Sequence, residues 1–229
     1  MKSINNYISE KLVINKNAGK IGYIYFPKTK KELQDIIEQR LWEEGKECDL
    51  NDIDVSKITD FSFLFRDSTF NGDISEWDVS NAKNMQGMFA KSKFNKDISK
   101  WDVSGVENMG DMFALSKFNQ DISKWDVSNV KYMGCMFEDS KFNQDISKWD
   151  VSNVTNIYGM FYKSKFNQDI SKWDVSNIKD MRWMFEKSCF NQNISKWNIN
   201  DNCDIYGIFD NSPLKGKEQE WWGRTIKII

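Results

Sequence analysis

The chain has 229 residues, 40% of them hydrophobic and 29% charged, with 32 basic side chains against 34 acidic ones for a formal net charge of -2. That balance makes no long-range field for a polyanion, so nucleic acid is set aside as a partner. There is no histidine, which removes the commonest general base, the Ser-His and Cys-His couples and most zinc sites.

From the N-terminus, MKSINNYISEKLVINKN holds no apolar core of the kind a secretory signal needs. No stretch approaches the ~20 apolar residues that span a bilayer. The sequence by itself therefore reads as cytoplasmic, with no membrane span. Residues 1–45 read as an N-terminal cap. KLVINKN and KIGYIYF have strand character, with a turn at Asn17-Ala18-Gly19 between them. A helix follows, opened by the capping box of Thr29 and Glu32 and lined on one face by Leu33, Ile36, Ile37 and Leu41. Gly45 stands where the helix should stop.

Beyond that point the chain repeats every 24 residues. Phe70, Phe94, Phe118, Phe142, Phe166 and Phe190 mark the period, and Trp77, Trp101, Trp125, Trp149, Trp173 and Trp197 keep it in step. One unit reads FNQDISKWDVSNVKYMGCMFEDSK. A worn first copy keeps Leu50, Ile53, Val55, Ile58, Phe61, Leu64 and Phe65 in register. The last copy decays after Trp197, giving about seven units over residues 46–213.

Within a unit, Ile122, Trp125 and Val127 have the LxxLxL spacing of a leucine-rich-repeat strand. Ser128-Asn129 is helix-capping chemistry. Val130, Met133, Met136 and Phe137 then follow at helical spacing, in a segment whose glycines weaken a regular helix and admit some 3₁₀ character. Ser140-Lys141-Phe142-Asn143 turns the chain into the next unit. The predicted fold is α/β: a single-domain solenoid of leucine-rich-repeat type, with strand–turn–short-helix units stacked between two caps. Residues 214–229 form the C-terminal cap, with Trp221 and Trp222 over the last unit.

The unit FNQDISKWDVSNV followed by M-x-x-MF resembles the BspA-like leucine-rich repeat family of bacteria, and FPKTKKELQDII looks like the segment that leads into such repeats. The resemblance implies a cell-surface protein, some members of the family having been implicated in adhesion to host or matrix proteins.

The in-register indoles share a face with Ile and Val and read as core rather than as a sugar platform. The Met-x-x-Met/Phe pairs read as core as well. Asn71, Asn95, Asn119, Asn143, Asn167 and Asn191 form a ladder able to satisfy backbone groups in the turns. Asp73, Asp97, Asp121, Asp145 and Asp169 read as turn caps before calcium ligands, which would have to converge on one point. The four cysteines, Cys48, Cys135, Cys189 and Cys203, have no paired spacing and read as separate thiols.

The surface candidates are two charged columns on the predicted strand face. Lys100, Lys124, Lys148 and Lys172 lie one above another, with Asp102, Asp126, Asp150 and Asp174 beside them to relieve their repulsion. Trp183, in a slot that Gly87, Cys135 and Gly159 fill elsewhere, is a candidate interface anchor. The sequence thus points to a monomeric, non-enzymatic protein, without metal or cofactor, that binds a protein partner through its strand face. The alternative is a structural or self-associating spacer.

Overall fold

The computed structural model describes residues 22–223. The 24-residue units lie on one another as coils, and the Phe, Ile, Trp, Val and Met ladders read from the sequence are buried. Met133, Met136, Phe137 and Phe142 are wholly inaccessible, and the six indoles of the Trp ladder are 3–4% exposed. Phe65, Phe89, Phe113, Phe137, Phe161, Phe185 and Phe209 form a continuous stack with ring centroids 5.6–5.9 Å apart. Phe142 closes onto Phe137 at 4.0 Å, and the equivalent pairs repeat at 4.1–4.6 Å. This continuous apolar spine supplies the burial that one unit could not achieve alone.

The secondary structure differs from the expectation. The described residues contain two helices, α1 (Lys30–Glu44) and α2 (Lys217–Trp222), and no strand. Among the described residues, β-type pairing between coils is limited to isolated parallel bridges, one column of which runs through Asp60, Asn84, Asn108, Tyr132, Asn156, Asp180 and Asp204. The α/β leucine-rich-repeat solenoid of strand–turn–helix units is therefore not what forms, and two physical reasons account for it.

The Met-x-x-Met-Phe segment is not a helix because its amides have other partners. Alternate N–H groups point at the next coil: Met133, Cys135, Phe137 and Asp139 donate to the carbonyls of Asn156, Tyr158, Met160 and Tyr162 at 2.7–3.0 Å. The amides between them close tight turns, Met136 onto Met133 and Glu138 onto Cys135. Cys135 and Asp139 carry positive φ of 55° and 45°, as the third position of a type II turn requires.

The Ile-Ser-Lys-Trp-Asp-Val segment is not a strand because side chains replace the backbone ladder. Each indole N–H donates to a carbonyl one coil below, Trp125 to Ile98 and Trp149 to Ile122, both at 3.1 Å. The Asn ladder does the same for the turns: Asn119 Oδ1 accepts from the Asn143 amide at 2.9 Å, and the other rungs measure 2.8–2.9 Å.

Both ends are covered. At the first, α1 begins at Thr29, whose hydroxyl accepts from the Glu32 amide at 3.2 Å, and ends at Gly45, whose N–H donates to the Leu41 carbonyl. Leu33, Ile36 and Ile37 are buried against the first coil. Arg40 fixes the docking with two bonds to Asp52, at 2.7 and 2.8 Å, and one to the Asp49 carbonyl at 2.7 Å. The KIGYIYF strand is not present among the described residues. Tyr25 makes a single parallel bridge to Ile53 instead. The KLVINKN strand and the Asn17-Ala18-Gly19 turn lie outside the described residues. At the other end Trp221 and Trp222 pack on Phe209, with ring centroids at 6.1 and 5.7 Å. Neither helix is long and apolar enough to cross a membrane.

Candidate functional site

The charged columns lie at the surface: Lys100, Lys124, Lys148, Lys172, Asp102, Asp126, Asp150 and Asp174 are all exposed. Their internal relation differs from the expected one. The Asp column is turned back on its own chain. Asp126 Oδ1 accepts from both the hydroxyl (2.6 Å) and the amide (3.0 Å) of Ser128, and Asp102 and Asp174 do the same with Ser104 and Ser176. Asp150 accepts from the Ser152 amide. These carboxylates hold turns.

The lysines answer instead to the other Asp column. Lys124, Lys148 and Lys172 help hold the carboxyls of Asp121, Asp145 and Asp169 below the ordinary aspartate range, after the larger effect of the serine amides and hydroxyls that those carboxylates cap. Lys100 pairs with Glu76 at 3.1 Å. With no strand on this side, the columns line a row of side-chain-capped turns.

The opposite side of the coils is built from left-handed turns. One column of positive-φ residues runs Phe63, Gly87, Asp111, Cys135, Gly159, Trp183, Gly207, with φ between 55° and 64°. A second column four residues on includes Leu115 and Asp139. Glycine enters the left-handed region freely, whereas a residue with a Cβ is disfavoured there by roughly 1–2 kcal/mol. Two aromatic residues nonetheless occupy the first column, and each leans over a glycine in the next coil. A Cβ on Gly87 would sit 2.5 Å from the Phe63 ring, and one on Gly207 would sit 2.4 Å from Trp183 Cδ1.

Trp183 is half-buried. It stands edge-on to Tyr158 at 5.1 Å and to Tyr206 at 5.9 Å. Arg182 lies over the Tyr158 and Trp183 rings at 5.4 and 5.7 Å, anchored by two bonds to Asp180 at 2.8 and 3.0 Å. Between these rings and the coil below is a cavity of about 310 Å³ whose lining includes Tyr158, Tyr162 and Trp183 with Glu138 and Glu186. Sequence reasoning singled out Trp183 but missed Tyr158, Tyr162, Tyr206 and the two glutamates. The available signal was the column itself, since three of its seven residues are glycines, Gly87, Gly159 and Gly207, spaced by whole multiples of the repeat.

Residues 38–141 and 114–222 match the family described as Mycoplasma protein of unknown function, DUF285. The chain belongs to the DUF285 family. The two matches run from within α1 to the end of α2, so what defines DUF285 here is the coil stack with the two helices that close it. No curated protein and no solved structure matches the chain.

The floor of the cavity in this DUF285 chain is electrostatically specific. Burial, then the neighbouring Glu138 and Asp111 carboxylates, push the Cys135 thiol well up and hold it protonated. Asp111, Cys135 and Glu138 can each offer a donor atom within 4.8 Å of the others. The thiol is the weak member of that set, because a thiolate is the form that binds metal. Burial, reinforced by Cys135, also raises the Tyr158 phenol. Glu186 pairs with Lys187 at 2.8 Å. Among the described residues no lysine or arginine pairs with Glu138.

Proposed function

We propose that this DUF285 chain is a non-enzymatic repeat scaffold that binds a protein partner through its left-handed-turn wall, around Trp183. The observation that carries this reading is an exposed-edge aromatic held in a left-handed backbone that glycine fills in three other coils. A residue kept in a costly conformation at the surface is a recognised mark of a functional position. The surroundings have the composition of an interface centre: tryptophan, tyrosines and an arginine already fixed by Asp180.

The charged columns support this choice by contrast. Their aspartates are occupied in turns and their lysines are exposed, features of a solvated face. The likeness of the FNQDISKWDVSNV unit to BspA-like proteins, some of them implicated in adhesion, points toward binding as well.

The test is affinity capture with three full-length chains: the unaltered protein, Trp183→Gly, and the triple reversal of Lys124, Lys148 and Lys172 to Glu. Glycine suits the backbone at position 183, so that variant should fold. The reading expects a partner captured by the unaltered chain and the lysine triple, and lost from Trp183→Gly. Capture that survives Trp183→Gly, or that only the lysine triple abolishes, contradicts it.

A further inference from the structure

We propose that the cavity beside Trp183 is a receptor for an alkylammonium group, the chemistry of a lysine side chain or its methylated forms, with aromatic walls and Glu138 as counter-charge. This deepens the previous reading and rests on it only for the origin of the group, a side chain of the protein partner.

Three observations converge. The Tyr158 and Trp183 rings meet edge to face at 82° with centroids 5.1 Å apart, and both line the cavity, with Tyr162 as a third aromatic in the lining. A cation within about 6 Å of an aromatic face is attracted to it. The chain already places its own cations over these rings. Lys163 and Lys187 stand over Tyr162 at 5.0 and 5.4 Å, as Arg182 stands over the other two rings. None of these three cations lines the cavity.

The second observation is charge. The lining carries two carboxylates and no basic residue. Lys187 answers Glu186, which among the described residues leaves Glu138 as the carboxylate of the lining without a paired cation. The third is room. Position 159 is glycine at φ 55°, and a Cβ there would press on Cys135 Sγ at 3.2 Å, so the floor stays open only as it is. A volume of about 310 Å³ lies at the small end of ligand sites, suited to one side-chain head group. Aromatic faces offer a divalent metal no lone pairs, and the protonated thiol offers none of the anionic character such an ion seeks. The same walls suit a weakly hydrated organic cation.

The experiment is a titration of the full-length chain, with its aromatic side chains labelled for NMR, against three probes. These are tetramethylammonium, the N-acetyl methylamide of trimethyllysine, and the neutral isostere 3,3-dimethylbutanol. The expected result is a saturable shift of the Tyr158 and Trp183 ring signals with both ammonium probes, with the neutral isostere at least about tenfold weaker. Glu138→Gln should weaken ammonium binding by about tenfold, and Trp183→Gly should abolish it while thermal unfolding shows both variants folded. Unmoved ring signals with tetramethylammonium, or equal binding of the neutral isostere, overturn the proposal. Binding of tetramethylammonium but not of the lysine derivative upholds the cavity's chemistry and overturns the lysine origin. Because no partner is present in the titration, ammonium binding by a chain that captures no partner keeps this inference and removes the previous one. The reverse pattern removes this inference alone.

Discussion

Along the Asn–Asp–Trp side of the stack, coil meets coil chiefly through side chains: an indole N–H on a carbonyl, an Asn Oδ1 on an amide. Along the Met–Met–Phe side, coil meets coil through the backbone, with alternate amides reaching across and tight turns between them. The first side repeats almost without variation, because each bond needs one particular side chain at one register. The second makes its bonds with main chain, so its outward residues can change as long as the left-handed backbone tolerates them. Phe63, Asp111, Cys135 and Trp183 share one column for that reason. Variation on the surface collects where the backbone does the joining.

Both sides depend on the common spine, and cutting it should have the largest effect. Phe137→Ala removes a ring that packs on Phe113, Phe142, Phe161 and Trp149. It should cost about 3–5 kcal/mol in denaturant unfolding. It should also split the transition, because each coil is stabilised only by its neighbours. On the left-handed side, Gly207→Ala should cost roughly 2–3 kcal/mol, combining the φ penalty with the contact against Trp183. In a Trp183→Gly background the contact is gone and about 1 kcal/mol should remain. A double-mutant cycle measures that coupling, and additive costs would show that the two coils are not in register here.

On the side-chain-joined wall, Trp125→Phe deletes one indole bond to the Ile98 carbonyl. That carbonyl also accepts from the Trp101 amide, so it is not orphaned, and the loss should be about 1–2 kcal/mol by chemical unfolding. The smallest effect is on pH. The Ser99, Ser123, Ser147 and Ser171 amides, with their hydroxyls, lower the carboxyls of Asp97, Asp121, Asp145 and Asp169. A lowered folded value means that their contribution is complete above the ordinary aspartate pKa of about 3.9 and is lost as pH falls through the folded value. Denaturant midpoints should be flat from neutral to mildly acidic pH and decline below about 4, modestly, since these groups face solvent. A midpoint that rises on acidification would contradict the turn-cap role.

The 24-residue period, the buried Phe, Trp and Met ladders, the helix opened by Thr29 and the closing Trp pair were all legible in the sequence, because each depends on burial or capping that the residue type dictates. The secondary structure of the unit was not. Val130, Met133, Met136 and Phe137 at helical spacing turn out to be consecutive tight turns, which also bring every third or fourth side chain inward. The glycines at 87, 159 and 207 weaken a helix, but their shared phase more pointedly requires positive φ. Ile122, Trp125 and Val127 look like a strand because they face one way, yet the bonds of that segment run through Trp, Asn and Asp side chains that a periodicity argument does not count. For the site, Trp183 stood out as an interruption. Tyr158, Tyr162 and Glu138 did not, because ordinary surface residues gain meaning only once the coils set them side by side.

Hydrogen exchange at the tryptophan indoles most directly tests whether the coils stack in register. The account predicts slow exchange for the six N–H groups at Trp77, Trp101, Trp125, Trp149, Trp173 and Trp197, each bonded to a carbonyl. Trp42, 86% exposed, should exchange at the rate of a free indole. Six ladder indoles exchanging as fast as Trp42 would contradict it.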